Sequence, residues 1–139
     1  SYKYNLDICH CTTGDPNDFQ FYKQAARKNN VVWNCYAIGE LIYPEIFSRK
    51  TDISPEDVRI ILWNIKELGG KCFVLTERPS IIRERLLARG VRDFKILDNI
   101  EKINNEFIFY ASQYNIPVIN TSHMTLSEIF KMIEKDFDK

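Results

Sequence analysis

The chain has 139 residues, of which 45% are hydrophobic and 13% aromatic, and its 19 basic side chains balance 19 acidic ones. A chain of this length is expected to form one domain, residues 1–139, that buries roughly two-thirds of its unfolded surface. The balanced charge predicts no nucleic-acid partner, because proteins that bind polyanions carry a clustered basic excess. No apolar stretch approaches the ~20 residues that span a bilayer, and the amino terminus shows no signal-peptide pattern, so we expect a cytoplasmic protein without a membrane anchor.

Four cysteines, Cys9, Cys11, Cys35 and Cys72, lie in or near apolar runs. This placement predicts free thiols in a reducing compartment. Cys9, His10 and Cys11 also suggest metal ligands, but zinc sites normally contain a second pair of ligands at similar spacing. The chain has no second pair of this kind, and we therefore predict no metal site.

Four short apolar runs predict strands, at residues 4–11, 31–33, 72–75 and 116–119. Helices are predicted between these strands and after the last one, because apolar residues recur there at intervals of three and four. Capping residues and prolines mark the helix starts: Asp15-Pro16, Ser54-Pro55, Pro79, Asp98 with Glu101, and Thr125 with Glu128. Gly69-Gly70 and Gly90 predict the ends of two helices.

Strands and helices alternate along the whole chain, which is the pattern of a parallel α/β fold. The sequence therefore predicts a parallel sheet with helices on both faces, in three layers. The run 72–75 is apolar throughout, as in a strand that is buried on both faces. Pro117 favours an edge position for the last strand, because proline cannot donate a hydrogen bond to a neighbour.

The segment 30–47, NVVWNCYAIGELIYPEIF, combines a strand that ends at Asn34 and Cys35 with a turn and a short helix. Ligands of parallel α/β proteins bind at the carboxyl ends of strands. Glu40 and Tyr43 lie one helical turn apart beside this strand end, so both are candidates for ligand binding. A structural role is the alternative, with Tyr43 packed in the core and Glu40 capping the turn.

Basic side chains are concentrated in one stretch, which follows the predicted third strand: Arg78, Arg83, Arg85, Arg89 and Arg92. Arg78, Arg85, Arg89 and Arg92 are candidates to contact an anion or a nucleotide, or to form a surface for a protein partner. Alternatively, the arginines form a solvated face whose charge is offset by acidic neighbours: Glu77, Glu84 and Asp93.

These segments together resemble the thymidylate-kinase-like deoxynucleoside monophosphate kinases, from Leu6 to about Asn120. Gly39, Glu40 and Tyr43 match the Gly-Glu-x-x-Tyr helix of that family. The run 73–79 resembles its strand that ends in a polar turn and a proline, and the arginines resemble its lid over the phosphates of ATP. Residues 106–110 and 116–120 resemble its late helix and last strand. The resemblance implies a P-loop-kinase-like fold and, for an active enzyme, ATP and Mg²⁺ as cofactors.

The sequence departs from the family at two places that handle phosphate. The P-loop motif Gly-x-x-x-x-Gly-Lys-Ser/Thr occurs nowhere in the chain, and neither does the family's first strand. Asn34 and Cys35 stand where the family has Asp and Arg, and they supply neither the negative charge nor the guanidinium fork of those residues. We therefore expect a degenerate, catalytically inactive domain of suspected phage origin. It would bind a nucleotide-like ligand or a protein partner, as an inhibitor or regulator.

The alternative is a deoxynucleoside monophosphate kinase, of which this chain is the part that follows the P-loop. Phosphoryl transfer needs amides and a lysine around the phosphates, a carboxylate near Mg²⁺ and basic side chains on the transferred group, and this chain supplies only the last. Without the family's first strand, the strands at 31–33 and 72–75 could pair directly, or a homodimer could form through a free strand edge.

Overall fold

The computed structural model describes residues 7–10, 19–25, 27, 31–34 and 37–137. Within these residues helices predominate, and the short strands pair in parallel, two by two, which confirms a mixed α/β fold. None of the described helices is long and apolar enough to cross a membrane. The chain divides into two compact units, Ser1–Gly70 and Lys71–Lys139. The single domain and its three layers stay predictions, and the helix start at Asp15-Pro16 falls outside the described residues.

The first unit contains β1 (Asp7–His10), α1 (Phe19–Ala25), β2 (Val31–Asn34), a 3-10 helix (Ala37–Leu41), α2 (Tyr43–Ile46) and α3 (Pro55–Glu67). β1 and β2 pair in parallel, with Asp7 opposite Val31 and His10 opposite Asn34. A parallel pair requires a long connection between its strands, and α1 lies in that connection. α3 packs against α1 and the 3-10 helix. Among the described residues of this unit, the most deeply buried large side chains are Tyr22, Ile42, Val58 and Ile61.

Both ends of α3 follow the local chemistry that the sequence predicts. The Ser54 hydroxyl accepts a hydrogen bond from the Asp57 N–H, and the Asp57 carboxylate accepts one from the Ser54 N–H, at 3.1 and 3.0 Å. This is a capping box, which satisfies two backbone donors at the helix start. At the other end Gly69 takes a φ of +82°, and the Gly70 N–H donates to the Ile65 carbonyl over 2.8 Å. The helix therefore ends in a Schellman motif.

Replacing Ser54 with alanine should lower the free energy of unfolding by about 1 kcal/mol, because the Asp57 N–H loses its acceptor at the helix start. Urea denaturation measures this change. Ser54→Thr is the matched control, since threonine keeps the hydroxyl and should retain most of the stability. Equal losses in the two variants would show that the hydroxyl is not the stabilising group.

The second unit contains β3 (Val74–Thr76), α4 (Pro79–Ala88), α5 (Phe94–Leu97), α6 (Ile100–Gln113), β4 (Val118–Asn120) and α7 (Leu126–Phe137). β3 and β4 pair in parallel, with Thr76 opposite Asn120 at their carboxyl ends. α6 lies between these strands in the chain and packs against β3 and α4. The core of the unit is apolar: Val74, Leu97, Ile100, Ala111 and Ile119.

Two expectations for the second unit need correction, and one is confirmed. Leu75 is 52% exposed, so the run 72–75 is not buried on both faces. Asp98 does not start a helix, because it is the C-cap of the short helix α5, and α6 begins at Ile100. The predicted capping box of Thr125 and Glu128 is present, with both reciprocal hydrogen bonds at 3.1–3.2 Å.

Candidate ligand-binding site

The carboxyl ends of β3 and β4 carry a connected set of polar side chains. Because the two strands are parallel, their carboxyl ends meet at one edge of the sheet, which is where parallel α/β folds bind ligands. Helix α4 begins three residues after β3, and α6 lies against β3. We call this set the β3–β4 cluster: Thr76, Glu77, Arg78, Arg85, Asn104, Thr121 and Ser122.

Glu77 is the buried carboxylate at the centre of the cluster, with a side chain that is only 7% exposed. Its Oε1 accepts hydrogen bonds from the Ser122 hydroxyl over 2.6 Å and from the Arg78 N–H over 2.7 Å. These two donors, followed by the nearby guanidinium groups of Arg85 and Arg78, hold the pKa of Glu77 below its ordinary value, against the opposing effect of burial. Glu77 is therefore negatively charged at neutral pH.

The guanidinium groups of two arginines, Arg78 and Arg85, lie beside Glu77 without forming hydrogen bonds to it. Arg85 Nη2 is 3.7 Å from Oε2 of Glu77, and Arg78 Nε is 4.0 Å from Oε1. Both distances exceed hydrogen-bond length, and the two side chains are 63% and 60% exposed. The carboxylate attracts these guanidinium groups, and both arginine side chains remain more than half exposed.

A second set of hydrogen bonds fixes the strand ends beneath these charges. The Thr121 N–H and hydroxyl both donate to the Thr76 carbonyl, over 2.8 and 2.9 Å, and join the end of β4 to β3. The Thr76 hydroxyl donates to Asn104 Oδ1 over 2.8 Å, and Asn104 Nδ2 lies 3.5 Å from the Glu77 carbonyl. The cluster is therefore anchored to three elements, β3, β4 and α6.

The structure brings together only part of the predicted arginine group. Arg78 and Arg85 lie beside Glu77, and Arg89 is an exposed residue four positions after Arg85 at the end of α4. Arg92 instead donates to the Leu87 and Val91 carbonyls over 3.1 and 2.9 Å, at the end of α4. Arg83, in turn, donates to the Leu97 carbonyl over 3.0 Å. Arg83 and Arg92 therefore have structural contacts that the sequence does not reveal.

Glu40, in the first unit, is a buried carboxylate whose two oxygens both have protein partners. Arg49 donates to Oε1 and Oε2 over 2.6 and 3.1 Å, and the Thr51 hydroxyl donates to Oε2 over 2.9 Å. The hydrogen bond to Glu40 raises the pKa of Arg49. This bidentate pair joins the 3-10 helix to the segment that follows α2.

The remaining candidates of the first unit are only partly described. The ring of Tyr43 stacks on Phe47 with 6.2 Å between ring centroids, and it lies beside Gly39, where an added Cβ would be 3.3 Å from the Tyr43 ring. Asn34 is the last residue of β2, opposite His10. Cys35 falls outside the described residues, so its predicted place at the strand end stays a prediction.

An open depression of about 630 Å³ is lined by Asp98 and by residues of α6. Its lining contains three carboxylates and one lysine: Asp98, Glu101, Lys102, Asn105, Glu106 and Phe109. None of these residues belongs to the cluster, and the excess of negative charge opposes the binding of a phosphate. We therefore place the candidate site at the cluster and not at this depression.

The crystal structure of the YorR protein from Bacillus subtilis, in complex with phosphorylated GDP, has the same fold as this chain. The TM-score is 0.80, and the alignment covers 99% of this chain and 84% of YorR at 21% sequence identity. At this level of identity the likeness establishes the fold alone. No protein-family model matches the chain, and no curated protein matches it in sequence.

Proposed function

We propose that the protein binds a phosphorylated nucleotide at the β3–β4 cluster, with Arg78 and Arg85 holding its phosphate groups. The observation that carries this proposal is the pair of exposed guanidinium groups beside the buried Glu77, at the carboxyl ends of two parallel strands. Arginine suits this role because its planar fork donates two parallel hydrogen bonds to phosphate oxygens. The fold that the chain shares with YorR, whose structure holds phosphorylated GDP, supports the same class of ligand.

Other candidates take secondary roles in this proposal. Arg89 extends the positive surface of α4 beyond Arg85, and Arg92 acts indirectly because it holds the end of that helix. Tyr43 remains a proposed ligand contact, and Glu40 a proposed site residue, through the family resemblance alone. Glu40 would act through Arg49, whose guanidinium it fixes.

We infer further that the domain is thymidylate-kinase-like and binds its ligand without phosphoryl transfer. The chain holds no P-loop motif to surround the donor phosphates, and Asn34 carries no charge for a metal or a proton. Arg78 and Arg85 can neutralise phosphate charge, but neither activates a nucleophile. Binding should therefore need neither ATP nor Mg²⁺, whereas the kinase alternative requires both.

Calorimetric titration of the whole chain tests the proposal, with GDP, thymidine monophosphate and guanosine as separate ligands. We expect heat of binding from the two nucleotides and none from the nucleoside, because the arginines recognise phosphate. Absence of heat from every nucleotide up to millimolar concentration would refute the proposal and leave a protein partner as the remaining hypothesis.

A second measurement tests the inferred lack of catalysis. The chain is incubated with thymidine monophosphate, ATP and Mg²⁺, and ADP is quantified. We expect no ADP above the protein-free background. Formation of ADP together with an equal amount of thymidine diphosphate, in proportion to the protein, would establish the kinase alternative and contradict the inference of inactivity.

A further inference from the structure

We propose that Glu77 regulates the site by acting as an internal substitute for the phosphate. Arg78 and Arg85 interact with Glu77 until the ligand binds, and they then interact with the phosphate of the ligand. This inference rests on the proposed nucleotide function. The two guanidinium groups are attracted to Glu77, and they turn to the phosphate when a ligand binds. Glu77 therefore lowers the affinity of the site for the phosphate, because the phosphate must compete with Glu77 for the two guanidinium groups.

The geometry separates the fixed partner from the mobile ones. Glu77 is held in place, because its Oε1 accepts hydrogen bonds from Ser122 and from the Arg78 backbone over 2.6 and 2.7 Å and its side chain is 7% exposed. The arginine side chains are more than half exposed and lie beyond hydrogen-bond length from the carboxylate. Exchange therefore requires rotation of two solvated side chains and no movement of the buried acid.

The charges permit exchange and also limit the affinity for phosphate. The contact between Arg85 and Glu77 is an attraction at 3.7 Å without a hydrogen bond, and such partly exposed attractions are weak. A phosphate offers the same guanidinium two charge-assisted hydrogen bonds. Once the phosphate has bound, the fixed carboxylate remains close to it and repels it, because both groups are negative.

Glu77→Gln isolates this effect, since glutamine has nearly the same shape and its side-chain oxygen can still accept from Ser122 and from the Arg78 N–H. We expect the affinity for GDP and for inorganic pyrophosphate to rise about tenfold, as removal of one nearby like charge predicts. The response to guanosine should not change. In the double variant Glu77→Gln, Arg85→Gln the gain should be smaller, because one of the two guanidinium groups that the substitution releases is then absent.

Glu56→Gln is the matched control, because Glu56 also pairs with an arginine, Arg59, but is an exposed residue of α3 outside the cluster. It should leave both affinities unchanged. Unchanged or weaker binding by a folded Glu77→Gln protein would overturn the inference and show that Glu77 positions the arginines without competing for them. If the wild-type protein binds none of the phosphate-bearing probes, the proposed function itself fails, which is a different result.

A measurement on the wild-type protein tests the exchange without any change at Glu77. The Nε–H resonances of Arg78 and Arg85 are assigned by NMR through the single Arg→Gln variants, and pyrophosphate is then added. We expect both resonances to shift with the same midpoint as the binding heat. Binding heat without a shift at either arginine would overturn the inference.

Discussion

Replacing Arg78 and Arg85 together with glutamine should weaken the binding of GDP at least about 100-fold. In the proposed site each substitution removes a charged donor to the phosphate, and one such hydrogen bond contributes about 1.5–3 kcal/mol. Two losses of this size correspond to a factor of about 100 or more in the dissociation constant. Titration calorimetry of the wild-type and double-variant proteins measures the change.

The fold should survive this double substitution. Both side chains are at least 60% exposed, and the Arg78 backbone N–H that donates to Glu77 is retained. Arg59→Gln serves as the control for the loss of an exposed arginine, because Arg59 lies on α3 and pairs with Glu56. An unchanged affinity in a double variant with the wild-type melting temperature would place the phosphate site elsewhere.

Replacing Arg49 with methionine should lower the free energy of unfolding by about 3 kcal/mol, because a buried carboxylate then loses its charged partner. Glu40 is 6% exposed, and the Thr51 hydroxyl would be its remaining donor among the hydrogen bonds described above. We use the lower end of the range for broken buried pairs because the Arg49 side chain is 38% exposed. Urea denaturation at neutral pH measures the loss.

Two further variants separate the ion pair from other effects of the substitution. Arg59→Met removes an arginine from an exposed pair and should cost no more than about 1 kcal/mol. Adding Glu40→Gln to Arg49→Met should recover part of the lost stability, because a neutral amide is less costly to bury than an unpaired carboxylate. Equal losses for Arg49→Met and Arg59→Met would contradict a stabilising role of the buried pair.

The parts of the fold that the sequence predicts well depend on local chemistry. Ser54, Pro55 and Asp57 specify the start of α3 within four residues, and Gly69 specifies its end because the backbone there takes a positive φ. The strands are predicted for a similar reason, because each coincides with a short apolar run that lies next to the capping residues of a helix. The start of α6 was mispredicted at Asp98 because the same residue types also end the short helix α5.

The candidate site was harder to predict because its contacts join distant parts of the chain. Glu77 accepts a hydrogen bond from Ser122, which lies 45 residues later in the chain. The sequence alone indicates Glu77 only as an acidic residue that offsets the charge of the arginines. Asn104 was missed, although a polar residue next to the apolar stripe of α6 is a usable signal for a buried hydrogen bond. Thr51 and Arg49 were missed as well, since nothing near Glu40 in the sequence marks them as its partners.

The long sequence separations in the β3–β4 cluster bear on the order of folding. Thr76 and Asn104 are 28 residues apart, and Glu77 and Ser122 are 45 apart. Contacts of this kind form only after the entropy of closing long loops has been overcome, so we expect the cluster to assemble late, after the local turns of α4 and α6. A nucleotide that recognises the cluster therefore binds the folded second unit and not its early intermediates. It should slow unfolding and leave the folding rate almost unchanged.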